Sequence, residues 1–227
     1  MKSIILLSGG LDSAVCLAQA VQETEVVKVL TFDYGQRSRE KEKKAARNLC
    51  SHYNLEHEIV PLDYLQRLTK TALVDKDNPI PQPGEEDLDD ITGRALETAR
   101  QVWVPNRNGL FINIAACYAE SLGADLIITG FNREEAATFP DNSPQFIEAI
   151  NNSLAYSVLQ KLQVKSFTQD LAKKEIVALG LKLQLPFQYI WSCYEEEDQL
   201  CGKCESCQRL KRALEANGVL NLIEFKK

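Results

Sequence analysis

Ser8-Gly9-Gly10-Leu11-Asp12-Ser13 is the stretch best equipped for chemistry. Two adjacent glycines let an anion approach the backbone without meeting a Cβ. Ser8 and Ser13 add hydroxyl donors, and Asp12 puts a carboxylate beside them. Ile4-Ile5-Leu6-Leu7 runs in, and Ala14-Val15-Cys16-Leu17-Ala18 runs out with helical character. The pattern is strand, glycine turn, helix start. A helix N-terminus aims unpaired N–H groups and positive partial charge at such a turn. The string therefore reads as a phosphate or pyrophosphate nest, and its carboxylate suggests Mg²⁺. It is neither a Walker A loop, since no Gly-Lys-Ser/Thr follows, nor a GxGxxG turn.

The second cluster is Cys193-x7-Cys201-x2-Cys204-x2-Cys207, four of the seven cysteines. Four thiolates in tetrahedral reach suit structural zinc, at Zn–S about 2.3 Å, and an iron–sulfur cluster also uses four cysteines. A closed set leaves no open coordination position, so the metal is expected to fold the C-terminal segment and not to do chemistry. Gly202 allows the tight turn between ligands. Arg209, Lys211 and Arg212 follow on a helix and read as a solvated face that softens the cluster's charge. Cys16, Cys50 and Cys117 sit in apolar or helical contexts and read as small buried residues.

These sites need a scaffold, and the chain alternates strand-like and helix-like segments. Strands are expected at Ile4–Leu7, Val26–Phe32, Glu56–Val60 and Leu126–Gly130. Helices are expected at Asp12–Gln22, Glu40–Tyr53 and Asn108–Leu122, with one from Lys173 and a last basic one after the cysteines. Alternation implies βαβ units and an α/β parallel sheet with helices on both faces. Ligands of such sheets lie at the carboxyl ends of strands. Val74–Asp90 breaks the pattern: a proline-rich stretch and an acidic run read as a solvated surface loop, with a mobile lid as the alternative.

At 227 residues, with 44% hydrophobic and 26% charged residues, the chain reads as one domain, 1–227, large enough for a core. No apolar run approaches the ~20 residues that span a bilayer. Met1-Lys2-Ser3 leads into a strand and not a signal peptide, so a cytoplasmic location is expected. A net charge of −6 argues against a nucleic-acid partner and for small-molecule substrates. The two histidines, His52 and His57, lie outside the motif loops, which disfavours a histidine-based triad.

Three further loops carry unusual residues at strand ends. Phe32-Asp33-Tyr34-Gly35-Gln36-Arg37 combines glycine, aromatic and arginine, apt for shaping a pocket. In Val104-Pro105-Asn106-Arg107-Asn108, Arg107 is suited to clamp a phosphate or carboxylate bidentately, and Asn108 either caps the next helix or binds. Thr129 to Ser143 reads as a binding loop.

The Ser8–Ser13 string resembles the pyrophosphate loop of the ATP pyrophosphatase superfamily, whose members split ATP into AMP and pyrophosphate. With Tyr34-Gly35-Gln36-Arg37, Val104-Pro105-x-Arg107-Asn108 and the cysteine spacing, the chain resembles one branch, the 7-cyano-7-deazaguanine synthase family. The resemblance covers almost the whole length. It implies a Rossmann-like fold of adenine nucleotide alpha-hydrolase type with zinc on the four cysteines, in a segment spanning 190–212. It implies ATP with Mg²⁺ along Leu7, Ser8, Gly9, Gly10, Leu11, Asp12, Ser13, Ala14, Val15, Cys16 and Leu17, and at Phe32. Catalytic roles fall to Asp12, Ser13, Arg107 and Lys173, the last through a charge reaching ATP phosphates. Tyr34, Gln36, Arg37, Asn108, Glu135, Phe139 and Asp141 are implied to hold the deazaguanine. Glu135 or Asp141 is apt to accept the N–H donors of a guanine-like edge.

The implied reaction converts 7-carboxy-7-deazaguanine, free ammonia and ATP to the nitrile through adenylated intermediates. Thr138-Phe139-Pro140-Asp141-Asn142-Ser143 stands where well-known members have Gly-Tyr-Pro-Asp-Cys-Arg, and Glu135 where they have aspartate. Family precedent implies a homodimer, with helix Phe146–Leu162 as interface or core. The alternatives are another amidating or thiolating enzyme, acting on a related deazapurine or tRNA base, and a non-enzymatic nucleotide sensor.

Overall fold

A computed structural model describes residues 1–90 and 93–226. Its centre is a five-stranded parallel sheet in the order β3-β2-β1-β4-β5. The strands are β1 (Lys2–Leu6), β2 (Glu25–Asp33), β3 (His57–Pro61), β4 (Leu126–Thr129) and β5 (Gln163–Ser166). Ile4, Ile5, Leu30, Ile127 and Ile128 are buried with almost no exposure, as expected of strands covered on both faces. Helices α1 (Leu11–Glu23), α2 (Arg39–His52), α5 (Arg107–Leu122) and α8 (Lys173–Lys182) pack against this core. Among the described residues no helix is long and apolar enough to cross a membrane.

The chain first winds outward from β1 through β2 to β3, then returns to β1's other side with β4. The strand order therefore reverses between β1 and β4. A crevice opens at such a switch point, beyond the carboxyl ends of the strands. The loops after β1 and β4 face each other there, so the glycine turn and the Thr129–Ser143 loop share one opening.

The expected strands and helices are present, with ends shifted by one residue or two. Further elements lacked a sequence signal. β5 alternates exposed and buried residues over a short edge strand, with no apolar run to announce it. α3 (Asp63–Leu68) and α4 (Arg94–Val102) flank the irregular stretch, and α6 (Arg133–Ala136) is one turn inside the expected binding loop. α7 runs Pro144–Ser157 and ends five residues before Leu162, the expected end.

The stretch 74–90 departs from the solvated-loop expectation. Ile80 and Leu88 are buried, and Glu85–Asp89 forms a short 3-10 turn. It packs beside α9 (Glu205–Ala216), the last helix. Arg209 Nη2 donates to the Leu88 carbonyl at 2.6 Å, Gln208 Nε2 donates to the Pro83 carbonyl, and Arg212 makes a fork to Asp89 at 2.7 and 3.0 Å. The basic face of α9 is therefore partly internal. Arg209 is buried and ion-paired, contrary to the solvated reading, because Glu134 arrives from a distant loop to join Glu205 on its own helix.

Candidate active site

A cavity of about 260 Å³ opens at the switch point, lined by the β1 turn, the ends of β2 and β4, and the cysteine segment. The turn holds its own shape. Ser8 N–H donates to Ser13 Oγ at 3.2 Å, Gly10 N–H to Ser8 Oγ at 3.3 Å, and Ser13 Oγ to the Gly10 carbonyl at 3.2 Å. Gly9 has φ +84°, and a Cβ there would lie 2.8 Å from Ala45 Cβ. Its role is to let the turn rest on α2, and it does not line the cavity. Leu7, Ser8, Gly10, Leu11, Asp12 and Ser13 do line it.

Ala14, Val15, Cys16 and Leu17, implied to hold nucleotide, do not reach the cavity. All are fully buried in α1 behind the turn, and the Ala14 N–H is taken by the Gly10 carbonyl. Their packing fixes the helix N-terminus.

Gly130 closes the crevice from β4. A Cβ there would stand 2.6 Å from Ser13 N and 2.8 Å from Ser13 Cα. Backbone cannot yield as a side-chain tip can. Gly130→Ala is expected to lower stability by about 1–3 kcal/mol, the usual cost of overpacking, and to distort the nest. Urea denaturation together with nucleotide affinity measures both effects.

The electrostatic centre is Lys173, the first residue of α8, only 8% exposed. Its Nζ lies 2.5 Å from Asp12 Oδ2 and 2.7 Å from Glu135 Oε1. Sequence spacing cannot join these three, and the fold brings them together from the first turns of α1, α6 and α8. Burial pushes the Asp12 carboxyl up to about 6, against the pull of Lys173. Burial also acts on Glu135, but there the Lys173 ammonium prevails and holds the carboxyl below its usual range. Lys173 itself is pushed up: burial opposes its charge, and the two carboxylates outweigh burial.

Asp12 Oδ1 is buried with no hydrogen-bond partner among the described residues. An orphaned carboxylate oxygen beside a phosphate nest fits a hard cation such as Mg²⁺. Glu134 completes the arrangement, unforeseen from the sequence. Its Oε1 accepts the Lys173 backbone N–H at 2.8 Å, and its Oε2 accepts from Arg209 Nη1 at 3.2 Å.

On the β2 side, Phe32 stacks on Phe111 with centroids 4.1 Å apart. Tyr34 lines the cavity, and its hydroxyl accepts from Arg107 Nη1 at 3.3 Å. Burial disfavours the Arg107 charge, yet Tyr34 and Asp141 nearby push its pKa up. Gln36 lines the cavity but bonds inward, donating from Nε2 to the Phe32 carbonyl at 3.1 Å and to Glu42 at 2.9 Å.

Arg37, implied to hold the acceptor, is placed outside the cavity lining. Its guanidinium donates to the Asp75 carbonyl at 2.6 Å and to the Asn78 carbonyl. Those carbonyls have no sheet or helix partner, so the cation staples the irregular stretch instead. Asn108 lines the cavity and does not cap α5, whose cap residue is Asn106; its Nδ2 donates to the Asp141 carbonyl at 3.4 Å. Phe139 lines the cavity and lies parallel to Trp103, with centroids 6.2 Å apart. Asp141 does not line it, and its carboxylate accepts from Asn142 Nδ2 at 3.1 Å.

The cysteine segment forms the remaining wall. Trp191 N–H donates to the Gly9 carbonyl at 2.9 Å, and Leu11 N–H donates to Ser192 Oγ at 3.4 Å. The sulfurs of Cys193, Cys201, Cys204 and Cys207 all lie within 4.8 Å of one another. Cys201 and Cys207 are 3.9 Å apart, close to the about 3.8 Å edge of a tetrahedron with 2.3 Å metal–sulfur bonds. Backbone N–H groups of Glu195 and Cys204 point at Cys193 and Cys201 sulfurs, at 3.4 and 3.3 Å. Four sulfurs this close cannot all ionise without a cation among them, so the cluster is compatible with a metal ion. Tyr194, Glu205 and Arg209 also line the cavity. The one sequence signal for Glu205 was its place beside Cys204.

A chain from Desulforudis audaxviator named 7-cyano-7-deazaguanine synthase is 56% identical over 218 residues, 96% of this chain and 98% of that one. One of the same name from Pelotomaculum thermopropionicum is 54% identical, covering 96% and 99%. A solved 4-thiouridine synthetase–RNA complex with bound ATP shares the fold at TM-score 0.50 and 20% identity, covering 97% of this chain and 51% of that one. The model of the family described as queuosine biosynthesis protein QueC matches residues 2–218. The chain belongs to the QueC family.

Proposed function

We propose that this chain is a 7-cyano-7-deazaguanine synthase, an ATP-dependent carbon–nitrogen ligase acting on 7-carboxy-7-deazaguanine and ammonia. The observation that carries the reading is the single cavity into which the phosphate nest, the Asp12–Lys173–Glu135 cluster and the loop after β4 all open. The names of relatives more than half identical over nearly the full length support the acceptor.

The acceptor's carboxylate oxygen attacks the α-phosphorus of ATP, the bridge to the β-phosphate breaks, and pyrophosphate leaves. Ammonia then adds to the acyl carbon and AMP departs, giving the amide after loss of a proton. The amide oxygen attacks a second ATP in the same way. Loss of two protons from nitrogen and departure of AMP with that oxygen leave the nitrile. A poor leaving oxygen thus becomes AMP twice, and the protein positions reactants and stabilises phosphate charge.

In this reading the β1 turn and Ser13 cradle the phosphates, and Lys173 meets the charge that develops on them. Arg107 and Tyr34 border the acyl centre, and the Phe32–Phe111 stack receives adenine. Mg²⁺ held by Asp12 and the phosphates would neutralise charge on the leaving pyrophosphate. Zn²⁺ on the four cysteines is structural, since no coordination position is left open.

Tyr156 and Leu159 stand almost fully exposed at the end of α7, which supports a homodimer through that helix. The negative net charge supports small-molecule substrates without nucleic acid. Four cysteines grouped as a metal site, and not as disulfide pairs, support a cytoplasmic location.

The test is incubation of the chain with ATP, Mg²⁺, ammonia and 7-carboxy-7-deazaguanine. AMP release that depends on the acceptor, with the nitrile mass appearing, is the expected result. Absence of acceptor-dependent AMP overturns the reading.

A further inference from the structure

A ligase for a guanine-like acceptor must recognise its heterocycle, and most carboxylates around the cavity are already engaged. Asp12 and Glu135 both hold Lys173. Glu42 accepts from Ser38 Oγ at 2.5 Å and Gln36 Nε2 at 2.9 Å. Asp141 does not line the cavity.

Glu205 is different. It is the first residue of α9, lines the cavity and is 4% exposed. Glu205, Ser206, Arg209 and Leu210 all line the cavity, so one face of α9 fronts it. Oε1 is held by Arg209, from Nε at 3.0 Å and Nη2 at 2.9 Å. Oε2 has Thr98 Oγ1 at 3.4 Å, but that hydroxyl's single hydrogen has a nearer acceptor in the Ala95 carbonyl at 3.0 Å. Oε2 therefore keeps acceptor capacity inside the cavity. Arg209 is fixed in turn by Glu134 at 3.2 Å and the Leu88 carbonyl at 2.6 Å. The carboxylate is thus rigidly presented.

We propose that Glu205 is the specificity residue for the acceptor, its Oε2 accepting from the amine-bearing edge of the heterocycle. This rests on the acceptor class proposed above. It also gives the cysteine cluster a task beyond folding. Cys204 caps α9, so the metal-bound turn sets where Glu205 stands.

Glu205→Gln provides the test because Arg209 fixes its orientation. The amide oxygen must face the Arg209 donors, which turns the NH₂ group into the cavity. A donor then meets a donor, and recognition inverts. The readout is the ratio of kcat/KM for 7-carboxy-7-deazaguanine to that for the analogue lacking the 2-amino group. The wild-type ratio is expected at roughly 10- to 150-fold, the range for one hydrogen bond to a charged group. In Glu205→Gln the ratio is expected to fall to about one or below, with a raised KM for the acceptor and little change for ATP.

A purely structural role would lower both activities and leave the ratio intact, and an unchanged ratio overturns the proposal. One metal per chain and a cooperative unfolding transition verify the fold. Should Glu205→Gln lose metal, Glu205→Asp carries the same test, since it keeps the charge beside Arg209 and withdraws the carboxylate by one methylene. Failure of the wild-type chain to release AMP with the amino-bearing acceptor instead overturns the proposed function itself.

Discussion

Lys173→Ala is expected to lower acceptor-dependent AMP release by at least about a hundredfold, the scale of removing one preorganised charge-stabilising group. Two consequences act together. The cation nearest the nest disappears, and Asp12 and Glu135 lose the charge that separates them. Asp12 already sits near 6 with Lys173 in place. Without it, two half-buried carboxylates face each other, and protonation of one becomes favoured. The carboxylate available to Mg²⁺ is then weakened as well. Breaking a buried ion pair from one side costs about 3–5 kcal/mol, and partial solvent access to Glu135 puts this site at the low end.

Lys173→Arg is not expected to rescue activity, because a planar guanidinium cannot occupy the space of a compact ammonium between two close carboxylates. Asp12→Ala is expected to abolish AMP release while the far-UV circular dichroism stays native, since Lys173 retains Glu135. AMP chromatography and circular dichroism on the same samples check all three variants. Turnover retained in Asp12→Ala would make that residue structural.

What could be read from the sequence was whatever is local. The β1 turn is legible because strand, glycines and helix start are contiguous, and the cysteine cluster because its ligands lie within one short segment. The sheet follows from apolar runs, and β5 offers none, because exposed Gln163 and Lys165 alternate with buried Val164 and Ser166. The pairings that build the site are non-local. Lys173 meets Asp12 across 161 residues, and Arg209 meets Glu134 across 75. No spacing rule reaches that far. The same limit hides the burial of Arg209, since a cation's surroundings depend on which oxygens the fold delivers to it. Ala14 to Leu17 follow the nest in sequence, and the structure buries all four in the core behind it.

Cys204→Ser is expected to release the metal and unfold the segment 190–212. Cys204 is fully buried and serves as the N-cap of α9. Serine supplies no thiolate, and three sulfurs hold zinc far less firmly than four. Structural zinc contributes about 10–16 kcal/mol to small metal domains, as much as the 5–15 kcal/mol of a whole domain. This segment is tied into the site at both ends. Trp191 N–H and Ser192 Oγ support the β1 turn, and Arg209 reaches Glu134, which holds the Lys173 backbone. Loss of the cluster should therefore remove activity without any change to the nest's own residues. The stretch 74–90 should loosen too, because Arg209 and Gln208 hold its carbonyls. Elemental analysis should fall from one metal per chain to near zero, and protease should cut first within 190–212 or 74–90. Chelation of the wild-type chain should reproduce both changes. One metal per chain retained in Cys204→Ser would refute the ligand assignment, because a closed four-sulfur site cannot lose a thiolate and keep its metal unchanged.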